Sequence, residues 1–303
     1  MKDIKNSRIQ ELKINAREQL RLFIKREDEL HPFVSGNKFR KLKYNLQEAK
    51  RQNKETLLTF GGAYSNHIAA TAYAAKKEGF KSIGVIRGEE LTSKVEVNPT
   101  LKFAKSYGMD FKFVSREDYR KKNTDSFLKA LEYTHGDLYL IPEGGTNELA
   151  LKGCEEILNE SDQDFDFICV CVGTGGTIAG LINSSRSDQK ILGFPALKGD
   201  FLSRDIRKFA KSKNWELISD YHFGGYGKIK PDLITFINQF KTDHNIQLDP
   251  IYTGKMMYGL FDLINKNYFP KDAKILVIHT GGLQGIDGMN LKLKQKKLPL
   301  IEL

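Results

Sequence analysis

Three times along this chain a short apolar run ends in a glycine-rich loop, and twice a helix-forming segment follows directly. The loops read Gly61-Gly62-Ala63-Tyr64-Ser65-Asn66-His67, Gly173-Thr174-Gly175-Gly176-Thr177, and His279-Thr280-Gly281-Gly282-Leu283-Gln284-Gly285. A strand that turns through glycines into a helix is the unit of a parallel sheet. Candidate strands lie at 21–25, 56–60, 81–86, 111–114, 137–141, 166–172, 190–194 and 274–278, and several are near-continuous apolar runs, as expected of buried parallel strands. Helices are predicted between them at 66–78, 100–107 and 177–184. The expected fold class is therefore α/β with parallel sheets. At 303 residues the chain is about twice a typical domain, so two domains are expected.

Composition enters mainly by exclusion. Hydrophobic residues make up 40% and charged residues 28%, which is the balance of a folded chain. No apolar run approaches the length of about 18 residues that spans a bilayer. The start, MKDIKNSRIQ, has no apolar segment of the kind a secretory signal needs. Cys154, Cys169 and Cys171 are too few for a disulfide framework, and a C-x-C pair alone is no zinc signature. A reduced, cytoplasmic location is expected, with neither membrane nor metal. The net charge of +10 suits nucleic acid or small anions, but the basic residues are scattered and no nucleic-acid motif is present. A small anionic ligand is the expected partner.

In open parallel sheets, ligands bind beyond the carboxyl ends of the strands. Glycines there let backbone N–H groups approach an anion, and a helix N-terminus favours its charge. The 173–177 loop lacks the lysine of a P-loop and the last glycine of a dinucleotide fingerprint. It reads as a compact phosphate cup, although an ordinary strand-to-helix turn would use the same glycines. A further candidate is Gly36-Asn37-Lys38-Phe39-Arg40-Lys41-Leu42. Asn37 is placed to cap a helix starting at Lys38, with Phe39, Leu42, Leu46 and Ala49 on its buried face. The dipole and the like charges of Arg40 and Lys41 would disfavour the ammonium form of Lys38, as a Schiff-base lysine requires. A solvated basic helix start is the bland alternative.

Taken in order, Gly36-Asn37-Lys38, Ser65-Asn66-His67 and Gly173-Thr174-Gly175-Gly176-Thr177 resemble the tryptophan-synthase-β-like, fold type II pyridoxal-phosphate enzymes. Within them the chain resembles the branch of 1-aminocyclopropane-1-carboxylate (ACC) deaminase and D-cysteine desulfhydrase. Lys25-Arg26-Glu27-Asp28, Pro142 to Asn147, Tyr226-Gly227, and Asp249 to Lys255 extend the match over nearly the whole chain.

The resemblance implies two three-layer α/β domains. The large one would cover 1–45 and 151–303, with a smaller domain inserted at 46–150. It implies pyridoxal 5'-phosphate as cofactor, a small amino acid as substrate, and a homodimer. Lys38 would hold the cofactor and move the α-proton. Gly173, Thr174, Gly175, Gly176 and Thr177 would bind the phosphate. Asn66 would meet the phenolic oxygen and Ser65 the substrate carboxylate. Tyr252 would cover the ring, Tyr226 would face the substrate, and Thr280 would stand at the pyridine nitrogen.

Two positions depart from the pattern. Thr253 stands where the deaminases carry a glutamate at the pyridine nitrogen, and a hydroxyl leaves that nitrogen a weaker electron sink. Tyr64 replaces a glutamine common in relatives, and its bulk is expected to narrow or reshape the pocket. The expected reaction is α,β-elimination from D-cysteine, giving pyruvate, hydrogen sulfide and ammonia. The alternatives are ACC deamination, D-serine dehydration, and a non-catalytic metabolite-binding protein of the same fold. His67 reads as a packing group and His279 as a satisfied core histidine. His31, His135, His222 and His244 lack metal-ligand spacing, and Trp215 carries no signal.

Overall fold

The computed structural model describes residues 7–14, 20–34 and 36–303, and places ten strands among them in two sheets. The segment at 1–6, read above for a signal sequence, lies outside the described residues. In chain order the strands are β1 (Ile9–Leu12), β2 (Arg21–Lys25), β3 (Thr56–Gly61), β4 (Lys81–Arg87), β5 (Met109–Val114), β6 (Leu138–Ile141), β7 (Phe167–Val172), β8 (Lys190–Pro195), β9 (Trp215–Leu217) and β10 (Lys274–Ile278). The larger sheet has the order β1-β2-β10-β7-β8-β9 and is parallel except for the β1–β2 pair. The smaller is wholly parallel, with the order β5-β4-β3-β6.

Side chains alternate along a strand, and here both faces are covered. On β7, Cys169 and Cys171 face the core built by the Pro231–His244, Thr253–Asn265 and Gly285–Gln295 helices. Ile168, Val170 and Val172 face the opposite core, with Ile178, Leu181 and Ile182 of the Gly176–Ser184 helix. Two buried faces are why the run shows no polar alternation. All three cysteines are free and buried. No described helix is long and apolar enough to cross a membrane.

The Asn37–Arg51 helix packs Phe39, Leu42, Leu46 and Ala49 on the smaller sheet, beside Leu57, Tyr139 and Ile141. It runs through residue 45, where a domain edge was expected. Leu42 is fully buried, so Leu42→Ala would cost about 2–5 kcal/mol. In each sheet the strand order reverses beside one strand, β7 in the larger and β3 in the smaller. The glycine-rich loops 61–65 and 173–177 leave from the carboxyl ends of those two strands. A ligand crevice belongs at such a reversal.

Candidate active site

The Asn37–Arg51 helix begins against the 280–285 loop. Its N-cap is Gly36 at φ 57, not Asn37 as its residue type suggested. A Cβ on Gly36 would stand 2.0 Å from the Thr280 carbonyl oxygen, so no other residue fits this approach. Asn37 is released from capping. Its Nδ2 donates to Thr177 Oγ1 at 2.9 Å and ties the helix start to the 173–177 loop.

Lys38, in the next position, is partly accessible and has no hydrogen-bond or ion-pair partner among the described residues. Burial of its ammonium lowers its pKa to about 7, with the Lys41 ammonium adding like charge. Arg40 contributes none of this, because it forms a two-pronged pair with Glu27 at 2.8 and 2.9 Å. Desolvation, rather than the dipole or a basic cluster, is the main cause.

Lys41 has a larger part than its sequence reading as a like charge. It is 2% exposed. Its Nζ donates to the Gly144 carbonyl and Thr146 Oγ1, each at 3.1 Å, and lies 3.5 Å from Thr174 Oγ1. Thr146 and Thr174 are joined at 2.7 Å, so this ammonium sits where the loops of the two sheets meet. Its i, i+3 spacing from Lys38 was the available signal, since such residues share a helix face.

The 173–177 loop then forms a cradle. A Cβ on Gly173 would lie 3.2 Å from the Tyr252 ring. One on Gly176 would lie 2.7 Å from Thr146 Oγ1 and 3.1 Å from Lys41 Nζ. The Gly176–Ser184 helix starts from this loop with no side-chain cap, and the first N–H groups of a helix have no intrahelical partner. Tyr252 packs edge to face with Tyr226, ring centroids 6.2 Å apart, and burial holds its phenol well above the ordinary range.

Thr280 follows β10 and is 5% exposed. Its Oγ1 lies 3.0 Å from Cys171 Sγ. Burial pushes that thiol up to about 12, so it remains a neutral partner. Thr253 is committed elsewhere. Its hydroxyl donates to Asp249 Oδ1 and accepts from the Asp249 N–H, both at 2.8 Å. The Asp249 carboxylate also takes the N–H groups of Ile251, Tyr252 and Thr253.

Ser65 caps the Asn66–Glu78 helix, its Oγ accepting from the Ile68 N–H at 3.3 Å. Asn66 faces Gly282, whose Cβ would stand 2.7 Å from Asn66 Nδ2, and its Oδ1 is buried without a partner. The structure thus links Lys38's turn, the 173–177 loop, Tyr252, Tyr226, Thr280 and Asn66 in one run of contacts. Ser65 is the outlying member, packed over Gly61 of its own loop.

Tyr64 turns away to the Gly285–Gln295 helix and does not fill the pocket as expected. His67 is buried, with Nε2 2.8 Å from Thr59 Oγ1, in keeping with a packing role. His279 is satisfied by the Gln247 carbonyl and the Gly281 N–H.

The donor set suits a phosphorylated aromatic cofactor. It offers backbone N–H groups and a buried ammonium for a phosphate, a tyrosine face for a ring, and an unpaired asparagine amide and an unpaired lysine beside it. The family model for pyridoxal-phosphate dependent enzymes matches residues 2–281. A bifunctional D-cysteine desulfhydrase/1-aminocyclopropane-1-carboxylate deaminase of Arabidopsis thaliana is 33% identical, over 88% of this chain and 73% of its own. A 1-aminocyclopropane-1-carboxylate deaminase of Bradyrhizobium sp. is 27% identical, over 84% of each chain. The crystal structure of an ACC deaminase homologue superposes with a TM-score of 0.82 at 32% identity, covering 96% of this chain and 94% of that one. This chain belongs to the fold type II pyridoxal-phosphate dependent enzymes, in the ACC deaminase and D-cysteine desulfhydrase branch.

Proposed function

We propose that the enzyme is a lyase acting on small β-substituted amino acids, D-cysteine foremost, with water consumed and pyruvate, hydrogen sulfide and ammonia formed. The bound cofactor supplies an electron sink for charge that develops at the substrate α-carbon. Lys38 holds the cofactor and, as an amine with a pKa near 7, takes the α-proton. Ser65 Oγ, with the free N–H groups of its helix start behind it, receives the substrate carboxylate. Lys41 and the 173–177 loop hold the phosphate, Asn66 the phenolic oxygen, and Tyr252 the ring face. Tyr226, 43% exposed, stands at the substrate side, where a thiol leaves. The enamine product then hydrolyses in water.

The observation that carries the choice of substrate is the neutral Thr280–Cys171 pair. A hydroxyl donates to a pyridine nitrogen without giving up its proton, so the sink stays weak. It serves a substrate with an acidified α-hydrogen and a good leaving group. D-cysteine has both, whereas ACC has no α-hydrogen. Thr253 does not alter this balance, because its hydroxyl is spent on Asp249. ACC deamination is the second reading, favoured by the names of the Arabidopsis and Bradyrhizobium relatives.

The test is keto-acid release from D-cysteine, β-chloro-D-alanine, D-serine, L-cysteine and ACC. D-Cysteine should be turned over far faster than ACC. An ACC rate equal to or above that on D-cysteine would overturn the electronic argument. A cofactor-loaded protein inert to the whole panel would favour a binding protein.

A further inference from the structure

Tyr64, in the turn between β3 and the Asn66–Glu78 helix, takes no part in the chemistry above. Its ring crosses from the smaller sheet's side to the Gly285–Gln295 helix, which packs on the larger sheet through Ile286, Met289 and Leu293. A Cβ on Gly288 would stand 2.4 Å from Tyr64 Cδ1 and 2.5 Å from Cε1. One helical turn further on, Lys292 Nζ lies 4.2 Å from the ring centroid, in cation–π range. Gln284 Nε2 also donates to the Asn66 carbonyl at 3.3 Å, so the same turn is held twice by the same helix end.

Gly288 lies inside a helix, where glycine is among the poorest choices. Its φ is not left-handed, so the backbone does not require it. The feature at this position that calls for a missing Cβ is the tyrosine ring. The phenol hydroxyl has no hydrogen-bond partner among the described residues, which makes the ring itself the contact.

We propose that Tyr64, seated in the Gly288 notch beneath Lys292, is a positioning residue. It clasps the two sheets together, fixes the neighbouring Ser65 for the substrate carboxylate, and keeps its own side chain out of the pocket. The clasp stands on the packing alone. The positioning role rests on the reading of Ser65 given above.

A double-mutant cycle on the holoenzyme separates the two. Gly288→Ala should lower the melting temperature by about 2–4 °C in the wild-type background, because the methyl group expels the ring. In a Tyr64→Ala background the same change should raise it, because only helix propensity is left. An equal shift in both backgrounds would overturn the clasp, whatever the enzyme's substrate.

The second arm titrates each enantiomer of alanine against the cofactor's absorbance. Alanine has a carboxylate but no leaving group, so it reads the seat and not the reaction. Gly288→Ala should weaken its binding about 3- to 10-fold with cofactor content unchanged, and Gly288→Ala combined with Tyr64→Ala should not weaken it beyond Tyr64→Ala alone. Tyr64→Phe, which keeps the ring, should match the wild type in both arms. If Gly288→Ala does not fold, Tyr64→Ala must by itself weaken alanine binding while retaining cofactor. Unchanged binding there, or no response to either alanine in the wild type, would overturn the positioning role.

Discussion

Two helix starts face this cleft, and each desolvates a lysine that has no carboxylate partner among the described residues. In the first turn of the Thr253–Asn265 helix, Lys255 is 2% exposed and burial lowers its pKa to about 8. In the first turn of the Asn37–Arg51 helix, Lys38 is lowered to about 7. The displacement is similar and so is the cause, yet the protons are used differently. Lys255 Nζ donates to the His222 and Gly225 carbonyls, each at 2.9 Å, and so anchors the turn that carries Tyr226. That turn needs an anchor, since Phe223 sits at φ 55 and Gly224, Gly225 and Gly227 also have positive φ. Lys38 Nζ donates to nothing among the described residues. A depressed pKa therefore does not by itself mark the lysine proposed as reactive. The mark is an ammonium that is desolvated and also left without an acceptor, so that losing its proton breaks no hydrogen bond.

The strongest way to break this contrast is Lys38→Ala. It should abolish turnover and remove all borohydride-reducible cofactor label, with the fold retained by circular dichroism. Lys255→Met should keep the label. A label persisting in Lys38→Ala would move the covalent role elsewhere.

The pH dependence of cofactor capture by the apoenzyme comes next in size. Only the neutral amine attacks the cofactor aldehyde. With a pKa near 7, the capture rate at Lys38 should rise about tenfold per pH unit up to 7 and level off above it. A rise that continued to pH 10 would mean that the ammonium is solvated and the contrast with ordinary lysines false.

Lys41→Met sharpens the comparison from within one helix. Lys41 has the acceptors that Lys38 lacks, and it lies beside the 173–177 loop proposed to hold the phosphate. Losing a charge-assisted contact of about 1.5–3 kcal/mol should weaken cofactor affinity about 10- to 100-fold. The enzyme saturated with cofactor should retain most of its kcat. A kcat loss at full occupancy would place Lys41 in the chemistry.

How much of this was legible from residues alone depends on range. The strands expected at 21–25 and 274–278 have those bounds in the structure, because each carries a short apolar centre with a basic residue at its start. β9, three half-buried residues at a sheet edge, leaves no such trace. The 66–78 helix was bounded correctly from its local pattern. The cap at Gly36 was not, because it is set by the Thr280 carbonyl, far away in sequence. Lys38, Asn66, Tyr252, Thr280 and the 173–177 loop were picked out by motif, and their contacts bring them to one cleft. What the residues hid were the partners. Arg40 is silenced by Glu27, Thr253 is spent on Asp249, and Tyr64 is drawn off by a glycine on another helix. The contacts of Arg40 and Tyr64 are made at a distance in sequence, and the Thr253–Asp249 pair, only four residues apart, is a choice of partner that residue type alone does not state.

The Thr253–Asp249 contact also changes what a deaminase-like swap would do. Thr253→Glu would remove one of the four donors to the buried Asp249 carboxylate and set a second carboxylate against it, leaving three backbone N–H groups. An unpaired buried charge costs about 3–5 kcal/mol, so the variant should lose stability instead of gaining ACC turnover.

The smallest effect, and the sharpest probe of the comparison, is expected at Lys255. Methionine keeps the stem's packing but removes the two hydrogen bonds to the 222–225 carbonyls. Those carbonyls lie in a turn whose left-handed Phe223 opposes its own conformation, so the turn should loosen and Tyr226 should lose its fixed place. With Tyr226 on the substrate side, as proposed above, KM should rise about 3- to 10-fold. Cofactor content and the absorbance of the bound cofactor should stay as in the wild type. Lys255→Arg, with its wider fork, should not restore the wild-type value, because the buried site fits one ammonium between two carbonyls. A fall in cofactor affinity equal to that of Lys41→Met would mean that the two buried lysines serve one site, and the distinction between an anchoring and a reactive helix start would have to be redrawn.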